Sequence, residues 1–256
     1  MLLVISPAKT LDYATPLNTT LHTMPDYLDD AALLIKCARQ YSVVDVQSLM
    51  AVSEKIAHLN VERFKQWRRP FTPKRARQAM FAFKGDVYVG LDALTFDNDD
   101  LAFAQEHLRI LSGLYGLLRP LDLMLPYRLE MGRKIATTRG KNLYEFWGDR
   151  ITQGLNAQLK KSSEDCLINL ASNEYFKAIK PKQLQANVIT PHFKEFKSGQ
   201  YKVMGVYAKK ARGMLSRYII KQRMTDPQLI KAFDQDGYRF NTAMSSEHDW
   251  VFIRQK

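Results

Sequence analysis

Cysteine is almost missing from this chain: Cys37 and Cys166 are the only two. They lie far apart, Cys37 inside a helical pattern and Cys166 at the start of an apolar strand pattern. That excludes a disulfide framework, and both read as buried thiols. Histidine is sparse too. His22, His58, His107, His192 and His248 show no ligand spacing and stand beside no cysteine pair or carboxylate motif, so no metal site and no cofactor are expected. No Walker loop and no dinucleotide fingerprint occurs, which leaves nucleotide hydrolysis and hydride transfer without a motif. Long hydrophobic runs are absent as well. Met1 to Ile5 is apolar but ends at once in Ser6-Pro7-Ala8-Lys9, with no basic region before it, so neither a signal peptide nor a membrane span is read there. A cytoplasmic location and no membrane partner are the expectations. There is no low-complexity tract or internal repeat.

What is present is globular. Hydrophobic residues make up 46% and charged residues 25% of the 256 positions, which allows one compact domain or two merged lobes. The net charge of +12 is unevenly spread. Between Lys177 and Arg223 there are twelve Lys and Arg against a single acid, Glu195. Such a segment suits a polyanion or a highly phosphorylated ligand, with solvated surface lysines as the plainer reading.

In chain order, Leu2 to Ile5 reads as a buried strand, and Lys9 lies in the loop leaving its C-terminal end, where function often sits. Pro25 to Phe83 is helical in pattern, with Thr72-Pro73 opening a helix through Ala82. Phe83 to Leu91 is a short glycine-bracketed strand or turn. Asn98 to Ile110 is a helix by its acidic start and the spacing of Leu101, Ala104, Leu108 and Leu111. The hexapeptide Leu111-Ser112-Gly113-Leu114-Tyr115-Gly116 follows, and a second helix is expected through Met131. Together these resemble the helix-hairpin-helix of DNA-binding and DNA-repair proteins, in which a glycine turn frees amides for a backbone phosphate. The same glycines also suit two helices that merely pack closely.

Beyond it, Arg119, Asp122, Tyr127, Arg128 and Glu130 interrupt an apolar segment, either as structural ion pairs or as the lining of a cleft in which Asp122 or Glu130 does acid–base work. Asn142 to Lys160 is one amphipathic helix. Cys166 to Leu170 is a buried strand, and Asn169, Ser172, Glu174, Tyr175 and Lys177 lie at its end, as Lys9 does at the first strand's. Neighbouring strands would bring both loops to one rim of a sheet. Val188 to Phe196 and Tyr201 to Tyr207 form a hairpin around Ser198-Gly199. The next helix, Ala208 to Lys221, is apolar along Ala211, Leu215 and Tyr218 and cationic outside, and could follow a phosphate backbone. Tyr238 to Phe240 and Trp250 to Ile253 close the fold as strands.

As a set, Ile5 to Leu11, Phe83 to Tyr88, Leu111 to Gly116 with Leu118 to Asp122, Pro126 to Gly132, Asn169 to Lys177 and Tyr207 to Gly213 resemble the bacterial YaaA family, nearly end to end and in motif order. The resemblance implies a cytoplasmic peroxide-stress protein that lowers free intracellular iron and limits oxidative damage to DNA. It also implies a single α+β domain over residues 1–256, a mixed sheet surrounded by helices, a basic cleft, and a helix-hairpin-helix at about residues 98–131. Duplex or structured DNA, held with low sequence specificity by a monomer, is the expected partner. The residues expected to contact DNA are Gly113, Tyr115, Gly116, Arg119, Arg128, Lys177, Lys209, Lys210, Arg212 and Arg217. The alternative is an enzyme acting on a nucleic-acid base or phosphorylated substrate, with Lys9, Asp122, Glu130, Ser172 and Glu174 as catalytic candidates. Since no ligand set is visible, iron lowering is expected to be indirect.

Overall fold

The computed structural model describes residues 1–255. β1 (Leu2–Ile5) runs up the middle of the sheet, apolar at every position because it is covered on both faces. The chain leaves it through Ser6–Lys9 into β2 (Thr10–Leu11) and then a helical layer: α1 (Leu28–Ala38), α2 (Val43–Met50) and α3 (Glu54–Gln66). A Ser42–Asp45 capping box starts α2. β3 (Arg77–Gln78), α4 (Ala79–Ala82), β4 (Phe83–Lys84) and α5 (Asp86–Leu91) follow, so the helix expected from Pro73 to Ala82 forms only as its last turn. The glycine-bracketed Phe83–Leu91 segment is half strand, half helix. β4 pairs with β2, Thr10 opposite Lys84, which ties the loop after β1 to a second segment.

α6 (Asn98–His107) begins at an Asp97–Asp100 capping box, as its acidic start predicts. The expectation for what comes next is corrected. Leu108–Ser112 is a strand, β5, parallel to β1, and Gly116–Leu118 is an antiparallel strand, β6, so a β-hairpin stands where a helix-hairpin-helix was expected. No helix occurs from Leu117 to Met131, which holds β7 (Leu123–Met124) and extended chain. Pro120 and Pro126 each lack an amide donor, and the Leu108–Leu118 run is apolar enough for the sheet interior. Gly116 makes the turn at φ 68°, and a Cβ there would strike the Trp147 ring.

α7 (Leu143–Trp147) and α8 (Arg150–Ser162) replace the single helix read there, because Gly148 turns at φ 51°. β8 (Cys166–Leu170) and α9 (Asn173–Phe176) follow, then β9 (Asn187–Lys197) and β10 (Gln200–Lys202) form the expected hairpin around Ser198-Gly199. α10 (Gly205–Lys221) starts within the stretch read as its second strand. β11 (Arg239–Phe240) and β12 (Asp249–Arg254) end the chain. The 8-stranded sheet runs β11-β12-β9-β8-β1-β5-β6, with β10 beside β9. β12, β9, β8, β1 and β5 are mutually parallel and antiparallel strands close the edges, so the sheet is mixed and the domain α+β. No helix among the described residues is long and apolar enough to cross a membrane.

Candidate functional site

The C-terminal ends of β1 and β8 are adjacent, Ile5 opposite Leu170, so the two loops predicted to share a rim do share it. They are bonded there: the Ser172 amide donates to Ser6 Oγ at 2.9 Å, and Ser6 Oγ lies 3.3 Å from Ser172 Oγ. The Tyr88 hydroxyl of α5 donates to the Ser6 carbonyl at 3.1 Å, placing α5 against the same rim. α10 crosses α5 with backbone in contact, since a Cβ on Gly213 would lie 1.8 Å from the Val87 carbonyl and one on Gly90 2.1 Å from that of Lys210. That crossing brings Lys209 and Arg212 over the rim. The extended segment Tyr127–Glu130 closes the third side, lodged against Gly113, where a Cβ would lie 2.2 Å from the Leu129 carbonyl. The result is a cavity of about 400 Å³.

Lys9, Lys84, Arg128, Lys209 and Arg212 line it, against Asp86, Glu130 and Glu174. Glu130 is buried at 5% exposure. Its Oε1 accepts from Arg128 Nε at 3.2 Å and Nη2 at 3.1 Å, with Lys9 Nζ at 3.7 Å. Its Oε2 accepts no hydrogen bond, and Arg133 Nε stands 3.5 Å away. Three cations thus surround one carboxylate. Half-buried Arg212 is the opposite case. Among the described residues no side chain or backbone group pairs its guanidinium, and loss of solvent pushes its pKa down. Burial raises the pKa of Tyr88, Tyr127 and Tyr175, so these stay protonated at neutral pH. The Tyr127 hydroxyl is 2.6 Å from Ser112 Oγ.

Of the catalytic candidates, Lys9, Glu130, Ser172 and Glu174 come together here. Asp122 does not. It is buried elsewhere, accepting from Thr23 Oγ1 at 2.6 Å, the Arg119 amide at 2.7 Å and Arg119 Nε at 3.1 Å; burial raises its pKa against these bonds. Its ion pair with Arg119 is the structural one of the two readings.

Of the residues expected to meet DNA, Arg128, Lys209 and Arg212 line the cavity and Lys210 lies exposed on the same helix. Gly113, Tyr115 and Gly116 are interior. Tyr115 is 0% exposed, and its hydroxyl accepts from Trp67 Nε1 and from the Leu125 amide, each at 3.0 Å. The glycines of the hexapeptide therefore serve close packing, and a phosphate has no path to them. Arg119 is engaged by Asp26, Asp122 and the Met24 carbonyl. Arg217 donates to the Asp92 carbonyl at 3.0 Å and to Thr95 Oγ1 at 2.6 Å. Lys177 lies over the Tyr144 ring, 5.3 Å from its centroid. Lys84 and Tyr88 are site residues that the sequence reading does not single out. Their signal is Gly85, whose missing Cβ admits Ala8 and so joins the Lys9 loop to α5.

Cys166 lies outside this site. Burial pushes its thiol up to about 11, and the thiolate is the reactive form, so at neutral pH it should resist both alkylation and hydrogen peroxide. Mass spectrometry of native protein after peroxide exposure should find Cys166 unmodified, with modification appearing after denaturation. Rapid oxidation of the folded protein would contradict that burial.

A family model described as peroxide stress protein YaaA matches residues 1–244. Among curated relatives, a UPF0246 protein of Teredinibacter turnerae is 57% identical over 256 residues, spanning 100% of both chains. That of Saccharophagus degradans is 56% identical over the same length, again 100% of both. One from Aliivibrio fischeri is 55% identical, covering 100% of this chain and 99% of its own.

Proposed function

This chain belongs to the peroxide stress protein YaaA family, and from that premise we propose that it works in the cytoplasm, as a monomer, by binding DNA in a basic cleft. The observation that carries the reading is the set Lys9, Lys84, Arg128, Lys209 and Arg212 around one cavity, with Arg212 lacking a protein counter-ion among the described residues. A guanidinium held partly out of water without a carboxylate is stabilised by a bound anion. The exposed lysines of the β9–β10 hairpin, Lys197 and Lys202, lead directly into α10 and extend the same charge. Contacts of this kind hold backbone phosphates and read no bases.

Replacing Lys209, Lys210 and Arg212 with Ala should weaken binding by a similar factor on unrelated sequences and reduce the salt slope by about one per lost phosphate contact. Fluorescence anisotropy across a salt series on duplex, single-stranded and bubble DNA measures both. Unchanged affinity in the triple variant would overturn the assignment. The iron-limiting role that the resemblance implies is carried here as an indirect effect. Tight stoichiometric iron binding in a titration would reverse that part.

A second reading is favoured by the convergence of Lys9, Glu130, Ser172 and Glu174 in a cavity rather than a flat groove. On that reading the protein changes a nucleic-acid base or a phosphorylated substrate. Incubation with DNA followed by mass spectrometry separates the two: altered DNA favours the enzyme, intact DNA the binder.

A further inference from the structure

The cations of the cavity are not equally engaged. Arg128 and Lys9 turn to Glu130, and Lys84 Nζ stands 3.7 Å from Asp12 Oδ2. Lys209 and Arg212 are three positions apart on α10 and so share one face, which lines the cavity. Neither forms an ion pair among the described residues. The acids of the lining are taken elsewhere: Glu130 by Arg128, and Glu174 Oε1 by the Gly132 amide at 2.9 Å. Counted over the lining, Lys9, Lys84, Arg128, Lys209 and Arg212 face Asp86, Glu130 and Glu174, which leaves two positive charges in excess. Ser172 adds a hydroxyl to the same wall. Its Oγ accepts from Ser6 Oγ at 3.3 Å and caps no helix, so its own hydrogen is left to donate.

Size decides what can meet that charge. A volume of about 400 Å³ equals a sphere about 9 Å across, narrower than the major groove alone, which is about 12 Å wide. A continuous duplex therefore stays outside, on the exposed Lys197, Lys202 and Lys210. The last nucleotide of a strand is small enough to enter. An internal phosphodiester carries one negative charge, whereas a terminal phosphate monoester carries about −1.5 to −2 at pH 7 and shows three acceptor oxygens. The monoester matches the excess of two positive charges. The Arg212 guanidinium can hold two of its oxygens through paired N–H groups, and the Lys209 ammonium and the Ser172 hydroxyl are further donors. We infer that the cavity receives the terminal phosphate monoester of a DNA strand end, and that Lys209 and Arg212 tell it from the diesters of unbroken backbone. The inference rests on the DNA-binding reading and names the part of the DNA that enters the cleft.

The test uses the full chain and fluorescence anisotropy at one salt concentration. The probes are a sealed DNA dumbbell, which has no strand end, and open duplexes of the same sequence with a short unpaired tail ending in a hydroxyl, a 5′-phosphate or a 3′-phosphate. One of the phosphorylated ends should bind about tenfold or more tighter than the hydroxyl end and the dumbbell, the scale of one hydrogen bond to a charged group. Arg212→Met should remove that advantage while changing dumbbell binding far less. Lys210→Met, outside the cavity, should weaken all the DNAs by a similar factor and keep the advantage. A melting curve for each variant guards against misfolding, and the ligand-side comparison needs no variant at all. Thymidine 5′- and 3′-monophosphate should displace the phosphorylated DNA only at far higher concentration; displacement at equal concentration would make a free phosphate ester the ligand and overturn the strand end. Equal binding of phosphate and hydroxyl ends, by protein that still binds the dumbbell, overturns the inference alone. Absence of binding to every one of these DNAs overturns the proposed function with it.

Discussion

Arg254→Met should lower the melting temperature by roughly 10 °C, from a loss of about 3–5 kcal/mol. Arg254 is 2% exposed at the end of β12, directly opposite Glu195 of the parallel strand β9. Its Nε donates to Glu195 Oε2 at 2.9 Å, and its Nη1 pairs with the Asp236 carboxylate. The guanidinium carbon also lies 4.5 Å from the centre of the Tyr238 ring and 5.2 Å from that of Tyr207. Methionine fills much of the volume but leaves Glu195, at 7% exposure, with only the Tyr238 hydroxyl among these partners. A buried charge that loses its counter-charge costs far more than the intact pair contributes. The Arg254→Met, Glu195→Leu double variant should therefore recover much of the lost stability. Scanning calorimetry on the wild type, both single variants and the double variant is the measurement. An unshifted melt for Arg254→Met would show that this pair does not hold the sheet edge.

Gly213→Ala should have the second large effect, about 1–3 kcal/mol of stability together with loss of ligand binding in the cavity. The added methyl carbon would sit 1.8 Å from the Val87 carbonyl and 2.8 Å from the Leu91 amide, and both are backbone, so the helices must separate. α5 and α10 carry Tyr88, Lys209 and Arg212, which are cavity wall. One displacement thus acts on packing and on the site. Gly205→Ala is the control, because nothing lies within 4 Å of a Cβ there; it should be neutral or slightly stabilising. Equal melting curves and equal binding for the two variants would remove the helix crossing from the account of the site.

The strands at Leu2–Ile5 and Cys166–Leu170 were legible because an unbroken apolar run of that length buries on both faces only in a sheet interior. Their loops could be expected to meet, and Ser6 and Ser172 do meet. The Leu108–Leu118 stretch misled because a helical spacing runs on into it. Leu101, Ala104, Leu108 and Leu111 fall at helical spacing, yet the run beyond Leu108 is apolar on both faces, and only its pairing with β1 decides for a strand. The basic segment was visible, but its distribution was not. Arg217, Lys221 and Arg223 face Asp92, Asp99 and Asp100, more than a hundred residues earlier in the chain, while Arg212 is left with no such partner among the described residues.

What the sequence determined by itself was local: which runs are apolar, where aspartates cap helices, where prolines and glycines interrupt them, and how much positive charge lies between Lys177 and Arg223. Tertiary structure decided which of those charges remain open and which candidate residues converge. Charge pairing and cavity formation depend on distances between segments far apart in the chain, set by the parallel register of β1 with β8 and by the Gly90–Gly213 crossing. Residue spacing along the chain carries no term for either distance, so Lys9, Glu130 and Arg212 become one site only once the sheet and the two helices are packed.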